Sequence, residues 1–470
     1  MSIVALELND AGVIAVRDRV DSAVAIPASP GYAVVDGAAI VTGDDARLRS
    51  RLKPRFTHTR FWDALDTSPL SRPFPNTLSR ADLAHAHLQQ IWNDVRGRDR
   101  SVTEAVLAVP GWYSLEQLGL ILGMAQACEM AVNGMIDSAL ASAAGTKDPR
   151  ASARAQVVHL DLHLHRIAAA RISRDNHLVR EETVVDDGAG LIPLYDAWAT
   201  FVAQAFVRQT RFDPLHSAQS EQTLYNHLPA WLDSLLDADE ASVSMSSSGK
   251  RHSVTLTRAQ LVSSASPYYD PIAALAVSVM PAGDPGLLLV SHRLGALPGL
   301  VERLTRDVAD ELVVLAPEAA AAGALAYEKH GPSSPKDEGA LTFLTRLHLN
   351  EHGAPTAPEP MVERPANDAR SPTHVLYDGV AHPLDPEPFL LGVSIPEGRR
   401  GLNLIGETAG VSRYHCSIYR ANDRIVVEDH SKFGSFLNGR RVHERAPLSA
   451  GDKLRLGSPG VEVQLIEVAH

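Results

Sequence analysis

Three stretches decide the fold of the C-terminal part of the chain: Val411-Ser-Arg-Tyr-His-Cys416, Glu428-Asp-His-Ser-Lys-Phe-Gly-Ser-Phe-Leu-Asn-Gly439 and Leu448-Ser-Ala-Gly-Asp-Lys-Leu-Arg-Leu-Gly457. Short runs with the composition of β-strands alternate there with Gly, Asn and Asp turns, which predicts an all-β sandwich. The predicted strands are 414–419, 424–428, 453–456 and 461–465. Two of the turns carry closely spaced polar residues, and loops on a rigid sandwich are common recognition sites.

Four features, in this order, resemble a forkhead-associated (FHA) domain, which binds phosphothreonine peptides in many signalling proteins. They are Ser412-Arg413-x-His415, Asp429-x-Ser431-x-x-Gly434-Ser435-Phe436, Asn438-Gly439 and Leu448-x-x-Gly451-Asp452. The resemblance covers residues 373–470. It implies that Ser412 and Arg413 face a bound phosphate, together with Lys432 and Ser435 from the second loop. It also implies that His415 holds the loops together without touching ligand, and that Asn438 hydrogen-bonds the peptide backbone.

Two positions depart from the FHA pattern. Valine follows Gly392, where the family normally has an arginine, and Phe433 replaces a polar ligand that is usually asparagine. A phosphothreonine carries about −1.5 to −2 charge and favours bidentate arginine contacts, so the missing arginine removes the strongest single contact. Arg399 and Arg400 could take its place. The alternative is a docking module without phosphate selectivity.

Length, composition and charge limit the remaining possibilities. The chain has 470 residues, 45% apolar and 21% charged, which is an ordinary globular composition. One hydrophobic core rarely organises so long a chain, so we expect two or three domains. The formal net charge of −12 makes the molecule a poor binder of polyanions, and we predict no nucleic-acid partner.

Cysteine usage and the N-terminus favour a cytoplasmic protein. Cys128 and Cys416 fall in different predicted domains, so no disulfide is expected. The first ten residues lack a basic leader and place acids within the apolar run, unlike a secretion signal. The longest apolar runs, such as 118–128, are too short to span a bilayer, so we predict no membrane span.

Strand-like and helix-like segments alternate through residues 1–330, which predicts an α/β domain. Ser79 and Ser114 stand where two predicted helices begin and are candidate caps. Several motifs resemble, through their shared order, the actin and heat-shock chaperone (DnaK-type) ATPase superfamily. They are Ala105-Val-Leu-Ala-Val-Pro110, residues 133–142, Ser253-Val-Thr-Leu-Thr-Arg258, residues 287–298 and residues 319–326. The resemblance implies a two-lobed ATPase fold, which a Pro/Gly-rich linker at 331–372 joins to the sandwich.

The loops that would touch nucleotide depart from the ATPase pattern. The first, usually Asp-x-Gly-Thr-Thr, reads Glu7-Leu-Asn-Asp-Ala11, so Glu7 keeps a carboxylate but Asp10 would repel a phosphate. The second reads Asp161-Leu-His-Leu-His-Arg166 and has lost every glycine, although phosphate loops need glycine for close backbone approach. His163 and His165 stand there instead. The adenosine loop reads Ser291-His-Arg-Leu-Gly295, which puts bulk where the base would enter.

Two functional hypotheses follow. The first is a non-catalytic adaptor without a cofactor, in which a pseudo-ATPase platform is joined to an FHA module that docks a protein partner, through phosphothreonine or without it. The second is a working ATP-dependent, chaperone-like switch that holds magnesium between Glu7 and Asp161.

Polar residues alternate along the predicted strand 157–165. His159, Asp161, His163 and His165 would share one face of that strand. Such a row could bind zinc or nickel, but we favour side chains that fill the cleft and therefore predict no metal. Further along, residues 340–348 form an apolar island within the linker. We expect it to pack back on the first domain, and a docking peptide is the alternative.

Overall fold

A computed structural model describes residues 2–17, 24–37, 39–247, 249–281, 286–330, 343–348, 372–377, 380–384, 388–396, 399–404, 410–421, 424–432, 434–437, 440–442, 444–457 and 460–466. The chain divides into two compact units, residues 1–359 and 360–470.

The first unit mixes strands and helices. Its strands are β1 Ser2–Glu7, β2 Val13–Arg17, β3 Val24–Ser29, β4 Ala33–Asp36, β5 Ala39–Thr42, β6 Thr57–His58, β7 Val102–Val109, β8 Ala131–Asp137, β9 Gln156–Leu162, β10 Ile167–Arg174, β11 His177–Asp186, β12 Glu240–Ser247, β13 Lys250–Thr257, β14 Leu287–Val290, β15 Glu311–Val314, β16 Phe343–Leu344 and β17 Arg346–His348. Its helices are α1 Gly43–Arg47, α2 Arg80–Arg98, α3 Leu115–Ala127, α4 Ser138–Gly145, α5 Pro149–Ala153, α6 Leu191–Thr210, α7 Ala218–Ser234, α8 Arg258–Val279, α9 His292–Gly295, α10 Leu300–Asp307 and α11 Ala319–His330. Within the described residues, no helix combines the length and apolar character that crossing a membrane requires.

Two six-stranded sheets share one topology. The first has the order β16-β8-β7-β1-β2-β3, in which β1 to β3 form an antiparallel meander and β7 and β8 continue parallel to β1. The second has the order β15-β14-β9-β10-β11-β17, with the same meander in β9 to β11 and the same parallel pair in β14 and β15. The unit is therefore two lobes, residues 2–145 and 156–315, that repeat one chain path.

Two helices pack against each other between the sheets. α4 follows the last parallel strand of the first lobe and α11 follows that of the second, and both are built largely from Ala with Gly. A Cβ added to Gly323 would lie 2.8 Å from the Gly145 backbone nitrogen and would overlap the Ala141 carbonyl oxygen. Small side chains thus let the helix backbones touch, and the core around them draws residues from both sheets.

The helix starts in the first lobe match their sequence signals. Ser79 and Ser114 each cap a helix through a reciprocal capping box, with Asp82 and Gln117 as the returning side chains. Both predicted caps are confirmed. Strand β3 was not predicted from the sequence.

Residues 343–348 add one short strand to each sheet. Phe343–Leu344 pairs in parallel with β8, and Arg346–His348 pairs antiparallel with β11. The Arg180 N–H donates to the Thr345 carbonyl between them, at 3.1 Å. The predicted packing of the apolar island on the first domain is confirmed, whereas residues 331–342 and 349–371 of the predicted linker lie outside the described residues.

The second unit is all-β. Its strands are β18 His374–Tyr377, β19 Val380–Pro383, β20 Phe389–Gly392, β21 Gly401–Asn403, β22 Cys416–Ala421, β23 Arg424–Asp429, β24 Ser435–Leu437, β25 Arg440–Arg441, β26 Arg445–Pro447, β27 Lys453–Leu456 and β28 Val461–Ile466. They form two sheets, β19-β18-β28-β27-β24-β25 and β21-β20-β22-β23-β26. Buried aliphatic residues of both sheets, such as Leu391, Val427 and Leu454, form one core, as predicted for a sandwich.

Candidate functional site

Two loops of the sandwich are joined by one buried histidine. The Ser412 backbone N–H donates to His415 Nδ1 at 2.9 Å, so Nδ1 is the acceptor and Nε2 carries the proton. His415 Nε2 then donates to the Gly434 carbonyl oxygen at 3.1 Å. A single neutral imidazole therefore fixes the first loop, 411–415, to the second loop, 430–434.

Asp429 organises the second loop from the end of β23. Its Oδ1 accepts from the Ser431 N–H at 3.1 Å and from the Ser435 hydroxyl at 2.9 Å, and its Oδ2 accepts from the Ser435 N–H at 3.2 Å. Burial would raise the pKa of this carboxyl, but the hydrogen bonds outweigh burial and hold the pKa below its usual range. Asp429 is therefore ionised at neutral pH and keeps the loop folded.

Gly392 lets the first loop approach the end of β20. The Val393 N–H donates to the Ser412 carbonyl at 3.3 Å, and the Ser394 N–H donates to the Arg413 carbonyl at 3.0 Å. A Cβ at position 392 would overlap the Arg413 carbonyl oxygen. The half-buried Val393, at the position of the missing arginine, thus contacts the first loop through its backbone.

Three of the residues predicted to face phosphate lie together at the surface. The Lys432 N–H donates to Ser412 Oγ at 3.3 Å, which brings the tips of the two loops into contact. The side chains of Arg413 and Lys432 are exposed. Neither forms an ion pair within the part of the chain that the structure describes.

The other predicted ligands are placed differently. Ser435 is fully buried and its hydroxyl donates to Asp429, so it does not lie with the exposed residues; its phosphate contact stays a prediction. Arg400 donates to the Pro383 carbonyl and lies over the Phe389 ring, 5.8 Å from its centroid, so it does not replace the missing arginine here. Arg399 is exposed. Asn438 lies outside the described residues.

The loop pair is expected to loosen in mild acid. Burial lowers the pKa of His415 below its ordinary value of 6.5, so the folded loops bind fewer protons than the unfolded chain. The stabilisation is present above pH 6.5 and is lost as the pH falls from 6.5 through the folded pKa, because a protonated Nδ1 can no longer accept from Ser412. Hydrogen–deuterium exchange, corrected for intrinsic rates, should accelerate in residues 411–415 and 430–434 below pH 6.5. Strand β27 serves as the internal reference, and equal acceleration there would contradict this role for His415.

A second candidate site lies between the lobes of the first unit, around a buried arginine. Arg293 Nη1 lies 2.8 Å from Glu7 Oε1 and 3.5 Å from Asp161 Oδ1, and Nη2 donates to the Gly12 carbonyl at 2.8 Å. Burial alone would lower the pKa of Arg293, but Glu7 and Asp161 raise it above its usual value. Burial would raise the pKa of Asp161, but Arg293 and then His163 hold it well below its usual range. Both Arg293 and Asp161 are therefore charged.

Further contacts tie the first predicted nucleotide loop directly to the second. Asn9 Nδ2 donates to Asp161 Oδ2 at 2.9 Å and to the Leu162 carbonyl at 3.2 Å. Asp10 Oδ1 accepts from the Leu164 N–H at 2.9 Å and lies 3.1 Å from His163 Nδ1. Asp10, predicted to repel a phosphate, is thus bonded within the protein.

The predicted row of four polar residues is not a continuous strand face. β9 ends at Leu162, and His163 and His165 lie in the turn before β10, where the His163 N–H donates to the Arg166 carbonyl at 2.9 Å. His165 Nε2 instead contacts Thr59 Oγ1, at 2.9 Å. Within the described residues, no three His, Cys, Asp or Glu side chains are arranged to hold a metal ion.

Little space remains between these side chains. The cavity lined by Trp112, Asp137, His159, Asp161 and His163 has a volume of about 10 Å³, close to the minimum that one water needs. Ser291, at the predicted adenosine loop, is buried, and its N–H donates to the Leu160 carbonyl at 2.9 Å. Next to Asp161 and His163, the protein's own side chains therefore leave room for about one water.

Four more ion pairs, made by three arginines, cross between the lobes. Arg180 Nη1 lies 2.9 Å from Asp137 Oδ2, and Arg166 contacts Asp63. Arg51 Nη2 lies 2.6 Å from Asp196 Oδ1, and its Nη1 lies 3.5 Å from Glu221. In each pair the arginine lies in one lobe and its acidic partner in the other, which favours a closed arrangement of the lobes.

Sequence reasoning missed Arg293 and Asn9. Arg293 was treated only as bulk in the adenosine loop, and Asn9 only as a replaced glycine. The sequence signal that could have identified Arg293 is a cation within the largely apolar residues 287–298, in a chain whose two phosphate loops retain the carboxylates of Glu7 and Asp161.

Comparison with known proteins identifies one region. The family model of the FHA domain matches residues 398–457. A comparison of the whole chain with curated proteins finds no match. The predicted FHA resemblance is confirmed for that region, and FHA domains are as a family phosphopeptide-binding modules for protein–protein interaction. The resemblance of the first unit to actin and heat-shock ATPases stays a prediction.

Proposed function

We propose that this protein is a non-catalytic adaptor. Its FHA domain docks a phosphothreonine-containing protein partner, and its first unit is a scaffold with an actin/DnaK-type fold that no longer hydrolyses ATP. The proposed domains are residues 1–330, a linker at 331–372 and residues 373–470, and the proposed location is cytoplasmic. The buried Arg293, paired with both carboxylates of the degenerate cleft, carries the scaffold part of the proposal.

The arrangement of the first unit supports that scaffold. Two lobes with one repeated topology, joined by a pair of helices, agree with a two-lobed ATPase ancestry. A nucleotide and its magnesium would need the carboxylates of Glu7 and Asp161, but both pair with the guanidinium of Arg293. The cavity of about 10 Å³ beside Asp161 and His163 is far too small for a triphosphate.

A nucleotide titration tests the scaffold directly. A ligand that binds only the folded state raises the unfolding temperature as its concentration exceeds the dissociation constant. We expect ATP with magnesium to leave the melting temperature of the full chain unchanged. A saturable increase, or phosphate release that disappears in Glu7→Ala and Asp161→Ala, would instead support the ATP-dependent switch.

The phosphate-binding part of the proposal rests on the tips of the two sandwich loops. Ser412 Oγ accepts from the Lys432 N–H, so its own proton points away from that bond. The exposed Arg413 and Lys432 supply two positive charges next to it. A phosphothreonine dianion matches this set of one hydroxyl donor and two cations.

Arg413→Ala is expected to weaken binding of phosphothreonine peptides at least about tenfold, which is about 1.4 kcal/mol. Arg413 is exposed, so its removal takes away a ligand contact and leaves the buried core intact. Fluorescence anisotropy of the full chain with matched phosphorylated and unphosphorylated peptides from an array measures the effect.

Arg424→Ala is the matched control, since Arg424 is also exposed but begins β23, at the other end of that strand from Asp429. It should bind like the wild type. Binding that ignores phosphorylation, or that survives Arg413→Ala, would indicate a docking module without phosphate selectivity.

A further inference from the structure

A groove lies on the first lobe, and none of its lining residues belongs to either of the two sites above. Its volume is about 390 Å³, and its lining consists of five apolar or glycine residues, Arg55, and the ion pair of Lys53 with Asp36: Val35, Asp36, Gly37, Leu52, Lys53, Pro54, Arg55 and Phe56. That volume is within the range of ligand pockets, roughly 300–1,000 Å³. The turn at Gly37 leaves its edge open, because nothing lies within 4 Å of a Cβ built there.

Exposed apolar side chains concentrate in the segment 48–56, from which Leu52 and Phe56 line the groove. Leu48, Leu52 and Phe56 are 41%, 40% and 42% exposed, respectively. The other exposed large apolar residues of the described part of the chain are scattered singly, at positions 115, 207, 215, 277, 314 and 414. Single exposed apolar residues are normal, whereas a cluster that lines a groove marks an interaction surface.

The groove also lies in the most basic stretch of an acidic protein. Residues 47–60 hold six Arg or Lys and no Asp or Glu, in a chain of net charge −12. Four of these cations are already paired: Arg47 with Asp44, Arg51 with Asp196, Lys53 with Asp36 and Arg60 with Asp63.

Arg49 and Arg55 are different. Both are exposed, and neither forms an ion pair with any residue that the structure describes. Arg55 lines the groove itself, and Arg49 lies one turn before Lys53, whose N–H donates to the Arg49 carbonyl at 3.0 Å. Arg49 lies close enough to Asp36 to help lower the pKa of that carboxyl, whereas Arg55 has no acidic partner among the described residues. Guanidinium groups beside apolar side chains fit carboxylates next to apolar side chains.

We propose that this groove binds an acidic amphipathic segment of a partner protein. Apolar side chains of that segment occupy the space beside Leu52 and Phe56, and its Asp or Glu side chains pair with Arg49 and Arg55. This surface adds a second partner site to the scaffold. A polyanion such as nucleic acid is disfavoured, because paired acids neutralise most of the local cations and Asp36 lines the groove.

A peptide selection tests the groove. Random dodecapeptides displayed on phage are selected on the full wild-type chain. We expect the enriched peptides to combine at least two Asp or Glu with two apolar residues. Their affinity should fall about tenfold or more in the double variant Arg49→Glu/Arg55→Glu and in Phe56→Ser. Arg208→Glu and Val277→Ser, which alter exposed residues of α6 and α8, are the matched controls and should bind normally.

Four results would overturn the proposal. They are enrichment of no peptide or of basic peptides, binding that the Arg49→Glu/Arg55→Glu variant keeps, binding of duplex DNA that this variant loses, and a wild-type dimer that Phe56→Ser converts to a monomer in light scattering. The last two would assign the groove to a polyanion and to a second copy of this chain. If Phe56→Ser fails to fold, the arginine variant decides alone, because both of its altered side chains are exposed.

Discussion

Arg293→Ala is expected to lower the free energy of unfolding of the first unit by about 3–5 kcal/mol, the usual cost of removing one partner from a buried ion pair. Glu7 and Asp161 would be left as buried carboxylates without their cation, and the Gly12 carbonyl would lose its donor. Urea unfolding followed by tryptophan fluorescence measures this loss. All five tryptophans, at positions 62, 92, 112, 198 and 231, lie in the first unit, so the signal reports on that unit alone.

Two further variants separate charge pairing from simple truncation. Arg306→Ala removes an exposed arginine whose partner is Asp307, and it should change the free energy by no more than about 0.5 kcal/mol. The triple variant Glu7→Leu/Asp161→Leu/Arg293→Met replaces the whole buried ionic group with apolar side chains and should lose less stability than Arg293→Ala alone. A loss below about 1 kcal/mol for Arg293→Ala would show that the guanidinium does not hold the cleft together.

The FHA loops could be predicted from the sequence because their chemistry is local. Ser412 and His415 are three residues apart, and Asp429 contacts Ser431 and Ser435 within the same turn. Such short-range patterns fix both the loop conformation and the residues exposed at its tip. What local pattern could not show was burial, so Ser435 was predicted as a ligand although it bonds inward to Asp429.

The cleft could be predicted only in part, because its decisive contacts are distant in sequence. Glu7 and Arg293 are 286 residues apart, and no spacing rule joins them. The sequence showed that the glycines were lost, but not that an arginine would neutralise both remaining carboxylates. The alternation at His159 to His165 was also misleading, since the reversal into β10 needs residues 163–166 for its turn.

The groove on the first lobe illustrates the opposite case. Its cations are obvious in the sequence, but their meaning depends on which of them are already paired in the fold. Arg51 bridges to Asp196 and Glu221 of the second lobe, whereas Arg55 stays unpaired among the described residues. Only the ion pairs seen in the structure distinguish cations that hold the lobes together from cations that are available to a partner.

The close contact between α4 and α11 predicts a second large effect. Glycine-to-alanine substitution should raise the free energy of unfolding at one glycine and lower it at another. An alanine in a helix interior normally stabilises relative to glycine by roughly 0.5–1 kcal/mol. Gly119→Ala in α3 should show that gain, since nothing lies within 4 Å of a Cβ there. Gly323→Ala should instead cost a net of about 2–3 kcal/mol, because its Cβ would overlap the Ala141 carbonyl and overpacking of this kind is costly. Both values come from urea unfolding of the full chain followed by tryptophan fluorescence, and a stabilising Gly323→Ala would mean that the two helices do not touch as described.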